Sequence, residues 1–362
     1  MGTLETLAAA VVVLVLAGSL PAVKGPAVRS GALAYVAALL AGVLLVSQAV
    51  RWSHAAPSTR ASQIRKYAVA ALSKTKEKNV LILDGGSYAA RALDPEALTE
   101  ELEKLGFSVK VVHLGLGAAN HFERYRMQEE IVESALLMPR PGQRWLLLAE
   151  VQSGYDYQPL AQLGENQDTE RTFHYLTPTN AWYALQAMSD LKNRESSLQQ
   201  PFWTVFRHSL VNTFNVGVSS WLVPDSRIKS QSGFVRGTRD GKYRYRGLDG
   251  VLAEATNPGP PLPVPDWLFE IREARLRALW AERVTRWIYY GVPSTNPNGL
   301  RYVRTFCSVT KEKCISPDDL KLLTKLDSAP LWYNAGHLST KGAPIYSRWL
   351  AQRLAELGVL QR

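Results

Sequence analysis

A chain of 362 residues, 46% of them hydrophobic and 20% charged, exceeds a minimal domain and is neither disordered nor collagen-like nor low-complexity. The 42 Lys and Arg against 32 Asp and Glu give a net charge of +10. That surplus suits an anionic partner (nucleic acid, phospholipid headgroups or an acidic polymer) without selecting one. Two cysteines are too few for a disulfide framework or, without histidine partners, for a zinc site, and neither metal nor cofactor is expected.

The apolar residues are unevenly spread. Residues 6–23 (TLAAAVVVLVLAGSLPAV) and 31–50 (GALAYVAALLAGVLLVSQAV) are uncharged runs of membrane-spanning length, joined by the short loop KGPAVRS with Lys24 and Arg29. Residues 1–52 therefore read as a transmembrane helical hairpin. A cleaved signal peptide would want a basic start, where this chain has Glu5. Arg51, Arg60, Arg65 and Lys66 follow the second run, and the positive-inside count then keeps both ends in the cytoplasm; large domains, however, translocate regardless of charge. Cys307 and Cys314 bracket SVTKEK, and a disulfide (which persists only in an oxidising compartment) and two free thiols are both open readings.

After a basic linker over 53–78 the pattern becomes α/β. NVLIL at 79–83 is a short apolar run of the kind buried on both faces of a sheet. Asp94-Pro95 caps a helix that Gly106 ends. A second strand follows at 108–113, a helix at 119–137 and a third strand at 145–150 (WLLLAE). This alternation predicts a doubly wound parallel sheet, with reactive residues in loops at the carboxyl ends of the strands. Residues 151–330 read as containing a long, mostly helical insertion into one α/β domain spanning 79–362. Within it lie helical stretches at 180–193 and 201–221, a Gly/Pro-rich basic segment ending in NPGPPLPVP, and a helix over 266–290 with Glu273/Arg277 and Glu282/Arg286 as four-apart pairs. A strand end at 331–333 and an amphipathic helix at 339–357 close the chain.

Three loops follow strand ends. In Asp84-Gly85-Gly86-Ser87 the glycines permit a sharp turn that brings backbone N–H groups, Gly86 among them, to the site. Ser87 opens the next helix, where a hydroxyl can act as nucleophile and its own N–H can face an oxyanion. The turn is not a G-x-S-x-G elbow, because Ala89 fills the last position. In the second loop, Gly117 and Asn120 are candidate oxyanion donors, though Asn120 also fits a simple helix cap. In the third, Asn334 stands three residues before His337, close enough to orient its ring.

Gly-Gly-Ser after the first strand and Asn334-Ala335-Gly336-His337-Leu338-Ser339 before the last helix resemble the SGNH/GDSL hydrolases, over roughly residues 79–150 and 331–357. The long insertion and the membrane hairpin are most similar to the cell-envelope acylation branch, which includes the D-alanyl transfer protein of teichoic-acid modification and the alginate O-acetylation proteins. The resemblance implies a flavodoxin-like SGNH hydrolase fold, Ser87 as nucleophile, His337 as general base, and Gly117 with Asn120 as oxyanion donors. Two positions depart from the family pattern. Ala149-Glu150-Val151-Gln152-Ser153 lacks the asparagine of the family's third block, and Asn334 stands where the family has aspartate. In a serine protease the Asp-to-Asn change costs on the order of ten-thousandfold in turnover, through the wrong imidazole tautomer. The expectation is accordingly a slow serine enzyme, one that draws an acid from elsewhere (Glu150 or Asp156), or a catalytically dead relative.

The basic, Tyr-rich stretch 236–246 (RGTRDGKYRYR) fits a grip on phosphate or acidic sugar units as well as a solvated loop. Trp182, Trp203 and Trp221 fit a sugar-binding cleft as well as core or membrane-interface packing. No nucleic-acid module is present, and none is expected as partner. The combined expectation is a serine acyl esterase or O-acyltransferase in the cytoplasmic (inner) membrane, its domain outside the cytoplasm, acting on an anionic cell-envelope polysaccharide or glycopolymer. Its partners would be the lipid bilayer and a membrane-bound O-acyltransferase or polysaccharide synthase. The competing expectations are a catalytically degenerate binding or assembly subunit of such a system and, on the opposite topology, a cytoplasmic lipid esterase.

Overall fold

The computed structural model describes residues 60–117, 119, 121–133, 137–151, 232–237, 244–264 and 272–362. The apolar runs 6–23 and 31–50, Asn120, Asp156, the three candidate cleft tryptophans and the middle of the basic loop lie outside the described residues. No described helix is long and apolar enough to cross a membrane.

In chain order the strands are β1 (Asn79–Asp84), β2 (Val109–His113), β3 (Arg144–Val151), β4 (Val284–Gly291) and β5 (Lys313–Ile315). They form one sheet in the order β2-β1-β3-β4-β5, and every pairing is parallel. The chain winds outward from β1 in one direction to β2, then crosses back to β3 and on to β5. The strand order therefore reverses beside β1, the place where open α/β sheets form ligand crevices.

Period-two alternation sorts the strand side chains onto two faces. Leu81, Leu83, Leu146, Leu148, Ile288 and Tyr290 face one buried cluster. It is covered by α2 (Ser87–Ala92), α3 (Pro95–Lys104), α5 (Asp249–Thr256), α7 (Pro297–Val309), α8 (Leu320–Leu326) and α9 (Ala343–Glu356). Val80, Ile82, Trp145, Leu147 and Trp287 face the other, covered by α1 (Arg60–Lys74), α4 (His121–Glu133) and α6 (Ala274–Trp280). Each fully buried aliphatic side chain here contributes about 1.5–3 kcal/mol. That is why the runs NVLILD and WLLLAEV can only be central strands.

The Asp94-Pro95 signal is realised as written. Asp94 accepts the N–H groups of Glu96 (3.0 Å) and Ala97 (3.3 Å), Pro95 occupies the first helical position, and Gly106 at φ +86° ends the turn beyond α3.

Four expectations need correction. Residues 60–74, inside the presumed linker, form helix α1. Ile64, Ala68 and Leu72 lie four apart and bury a narrow stripe against the sheet, beneath a surface basic enough to read as a tether. The helix expected over 266–290 is α6 followed by a turn and strand β4. The β-branched and aromatic run VTRWIYYG outweighs the four-apart charge pairs. Glu273 pairs with Arg272 and Arg277 with Glu312. In consequence β4, α7, β5 and α8 lie within 151–330 yet belong to the sheet and its covering layer, not to an insertion. The strand end at 331–333 is not part of the parallel sheet: β6 (Trp332–Asn334) pairs antiparallel with β7 (His337–Leu338) as a separate hairpin.

Candidate active site

Ser87 and His337 are 250 residues apart, and three local devices bring them together. The first is the sharp end of β1. Leu114 N–H donates to Leu83 C=O (2.8 Å) and Leu116 N–H to Gly85 C=O (2.9 Å), so the loop after β2 runs alongside the Gly85–Gly86 turn. The second is helix α9, whose Ser347 hydroxyl accepts the Asp94 N–H (2.8 Å) and donates to Ala92 C=O (3.3 Å), locking it to the end of α2. The third is the β6–β7 turn. The Ala335 carbonyl accepts both the Thr295 N–H (2.9 Å) and its hydroxyl (2.7 Å), and buried Trp332 donates to Leu326 C=O (2.8 Å).

The result is a hydrogen-bonded relay. Ser87 Oγ lies 2.9 Å from His337 Nε2, and His337 Nδ1 lies 2.6 Å from Asn334 Oδ1. The Gly336 N–H also points at Asn334 Oδ1, at 3.1 Å. Of the two atoms of the Asn334 amide only the oxygen can accept an N–H, so this contact fixes the orientation of the Asn334 amide independently of the histidine. Facing that oxygen, Nδ1 must carry the proton, and Nε2 is left with a lone pair for the serine hydroxyl. This is the tautomer that general-base catalysis needs. The Tyr88 ring stacks on the imidazole with centroids 4.6 Å apart.

Among the described residues no carboxylate takes part in this relay. Burial, followed by the positive charge of Arg91, holds His337 at about 4, below its ordinary 6.5. Arg91 sits one helical turn after Ser87, its guanidinium 3.8 Å over the Tyr333 ring.

The oxyanion side is partly as expected. As first residue of α2, Ser87 has an N–H without an acceptor inside its helix. Gly117 stands beside it: a Cβ added there would lie 3.9 Å from Ser87 Cβ. Asn120 lies outside the described residues. Gly86 is a correction, because its N–H donates to the Glu150 carboxylate instead of facing the site. Glu150 is likewise not a substitute acid for His337. Its other oxygen accepts the Ala89 N–H at 3.0 Å.

The floor beneath the serine turn is charged and buried. Arg124 grips Asp84 with two hydrogen bonds (3.1 and 2.6 Å) and comes within 3.9 Å of Glu150. Tyr290 donates to the Asp84 carbonyl (3.0 Å). Glu150 is only 1% exposed, and burial pushes it up to about 7 against the pull of Arg124 and the two amides. His113, at the end of β2, accepts the Gly115 N–H at Nδ1 (2.9 Å). Its Nε2 therefore bears the proton and donates to the Ala89 carbonyl (3.3 Å). Burial above all pulls it down to about 4, so it is a neutral pin between the second loop and α2.

Sequence reasoning missed the roles of Tyr88, Arg91, His113 and Arg124. It also missed residues 232–237, whose Gly233 N–H donates to His113 C=O (2.8 Å) and Val235 N–H to Ala90 C=O (2.6 Å) along the same edge. Of the basic loop, Arg236 pairs with Glu96 (3.0 Å) and Tyr245 with Asp327 (2.6 Å). Among the described residues no group of three His, Cys, Asp or Glu side chains could hold a metal. Compared with protein-family models and with curated proteins, the sequence matches none of them.

Proposed function

We propose that the protein is a serine acyl esterase or O-acyltransferase of the SGNH type, held at a membrane by the two N-terminal apolar runs and acting on an anionic cell-envelope glycopolymer. The observation that carries this reading is the Ser87–His337–Asn334 relay with its tautomer fixed by Gly336. In the reaction, Ser87 Oγ bonds to an acyl carbonyl carbon while its proton passes to His337 Nε2. The carbonyl electron pair moves onto oxygen, which the Ser87 N–H faces, with Gly117 alongside. Collapse expels the alcohol, which takes the proton from His337. Water or a sugar hydroxyl, deprotonated by the same nitrogen, then releases the acyl group and frees Ser87.

Chemistry elsewhere in the chain supports this placement. Cys307 and Cys314 are joined in a disulfide, a bond suited to an oxidising compartment. Arg60, Arg65 and Lys66 belong to a helix packed on the sheet, so they weigh less as loop charges in fixing topology. The net charge of +10 suits an acidic acceptor polymer, and the partner proposed is a membrane-bound O-acyltransferase as acyl donor or a polysaccharide synthase.

A fluorophosphonate probe tests the chemistry on the full chain in detergent. Labelling should occur at Ser87 and vanish in S87A and H337A. Failure of the folded wild-type protein to label would remove the hydrolase reading. The neutral Asn334 favours a second reading, a binding or assembly subunit in which the fold outlives its chemistry. In that case S87A would leave the cellular envelope phenotype intact, whereas the enzyme reading requires its loss.

A further inference from the structure

After their first residues, Asn79 and Arg144, the central strands β1 and β3 run apolar and buried until they near the site, where each carries a buried carboxyl group, Asp84 and Glu150. A buried carboxylate is costly unless partners replace its water. For Asp84 the Arg124 fork does this. Glu150 is 3.9 Å from Arg124, and its direct partners are the N–H groups of Gly86 and Ala89. Those two amides are the cap position and the third residue of α2, the pair that a capping box satisfies with two side chains of the helix itself. Helix α2 has glycine at its cap and no side-chain cap of its own. One carboxylate reaching over from β3 does both jobs. The approach needs a bare Gly85, where a Cβ would stand 2.9 Å from the Glu150 carboxylate and 2.2 Å from Ala89 Cβ.

We infer that Glu150, as a carboxylate, is the positioning residue of the nucleophile: by holding the amides on either side of Ser87 and Tyr88 it sets the first turn of α2, and loss of its charge slackens that turn. The inference rests on the reading of Ser87 as nucleophile. Ionised, both carboxyl oxygens accept. Protonated, one of them becomes a hydroxyl and a poor acceptor, so only one amide stays well held. The charged and titratable groups facing Glu150 are Asp84 from β1, Arg124 from α4, Tyr290 from β4 and Tyr346 from α9. His121 and Arg272 line the same cavity, of about 10 Å³, beside it. Burial and Asp84 push the carboxyl up to about 7, so its charge changes near neutrality, well above the range of His337. Glu150 touches no substrate and acts through Ser87.

The test is the rate of fluorophosphonate labelling of Ser87 in the full chain between about pH 5.5 and 8.5. Wild-type labelling should rise roughly tenfold or more and level off above neutrality. In E150Q, whose amide offers a single acceptor oxygen, the rate should be flat and roughly tenfold or more below the wild-type plateau. A flat wild-type profile overturns the inference. So does a rise that survives in E150Q, which would assign it to another group such as His121. A second measurement needs neither the variant nor catalysis. In wild-type protein labelled with nitrogen-15 glycine and alanine, the Gly86 and Ala89 amide resonances should move together with one midpoint near 7. Resonances that stay still across the range overturn the inference. If Ser87 fails to label at every pH, the acyl-hydrolase reading falls, while the amide titration still decides whether the Glu150 charge holds the turn.

Discussion

Asn334 Oδ1 lies 2.6 Å from His337 Nδ1 while accepting the Gly336 N–H, so a neutral amide performs half the work of a triad carboxylate. It fixes the tautomer and the ring, but it has no charge with which to stabilise the imidazolium that forms as Ser87 loses its proton. Asn334→Asp keeps the oxygen in place and adds that charge. The expected outcome is labelling at neutral pH faster by about tenfold, with the acid limb moved upward from about 4. Asn334→Ala, which lets the ring turn, should slow labelling on the order of a hundredfold. An N334D rate and profile equal to wild type would mean that the relay does not carry the reaction.

Arg91 provides a separate handle on the same imidazole. Its positive charge is the second cause, after burial, of the lowered His337 value. Arg91→Gln removes one cation and leaves the burial, so the acid limb should move part of the way from about 4 toward 6.5. Labelling above pH 8, where His337 is neutral in both proteins, should be little changed. A pH profile of the labelling rate reads both. A limb that moves downward would contradict the assignment of that limb to His337.

How far these groups were legible in the sequence depended on how local their signals were. Ser87, Asn334 and His337 were readable because each borders a short turn at the end of an extended run, and because the Asn334–His337 pairing spans only three residues. Strands β1 and β3 were readable because burial on both faces writes them as unbroken apolar runs, and β2 as a short valine-rich run between two helix signals. Helix α1 was not, since its fully buried apolar residues are only Ile64, Ala68 and Leu72 within a basic segment. Strand β4 was not, since Glu273, Arg277, Glu282 and Arg286 imitate helical spacing while the aromatic run beside them is the stronger influence. Glu150 was visible as a charge at the end of an apolar strand. Its target, two backbone amides more than sixty residues earlier, leaves no trace in composition or period.

Gly336 is a tight point of the site. A Cβ there would stand 2.5 Å from the Tyr88 ring, which itself stacks on His337. Gly336→Ala should therefore displace Tyr88 or the turn that holds Asn334, costing about 1–3 kcal/mol of stability and slowing Ser87 labelling. Removing the ring makes room for the methyl group. The double variant Tyr88→Ala with Gly336→Ala should then be more stable than the sum of the two single losses predicts, as coupled neighbours are. Thermal unfolding of the four proteins measures this, and strict additivity would separate Gly336 from Tyr88.

His113 and His337 give the fold a defined acid weakness. Both are held at about 4 in the folded protein against an ordinary 6.5, so between those values the unfolded chain binds protons that the native one refuses. Stability then falls as pH drops from 6.5 to 4. Glu150 acts in the opposite sense: raised from 4.5 to about 7, it keeps a proton in the native state that the unfolded chain has released, and its contribution falls as pH rises through that window. Two histidines against one carboxyl leave a net rise of stability from about pH 4.5 to 6.5. In His113→Gln, whose amide can still accept the Gly115 N–H, the unfolding temperature should climb less steeply over this range than in wild type. In Glu150→Gln, with the opposing group gone, it should climb more steeply. Equal slopes in all three proteins would mean that these groups titrate alike in both states and would overturn the assignment.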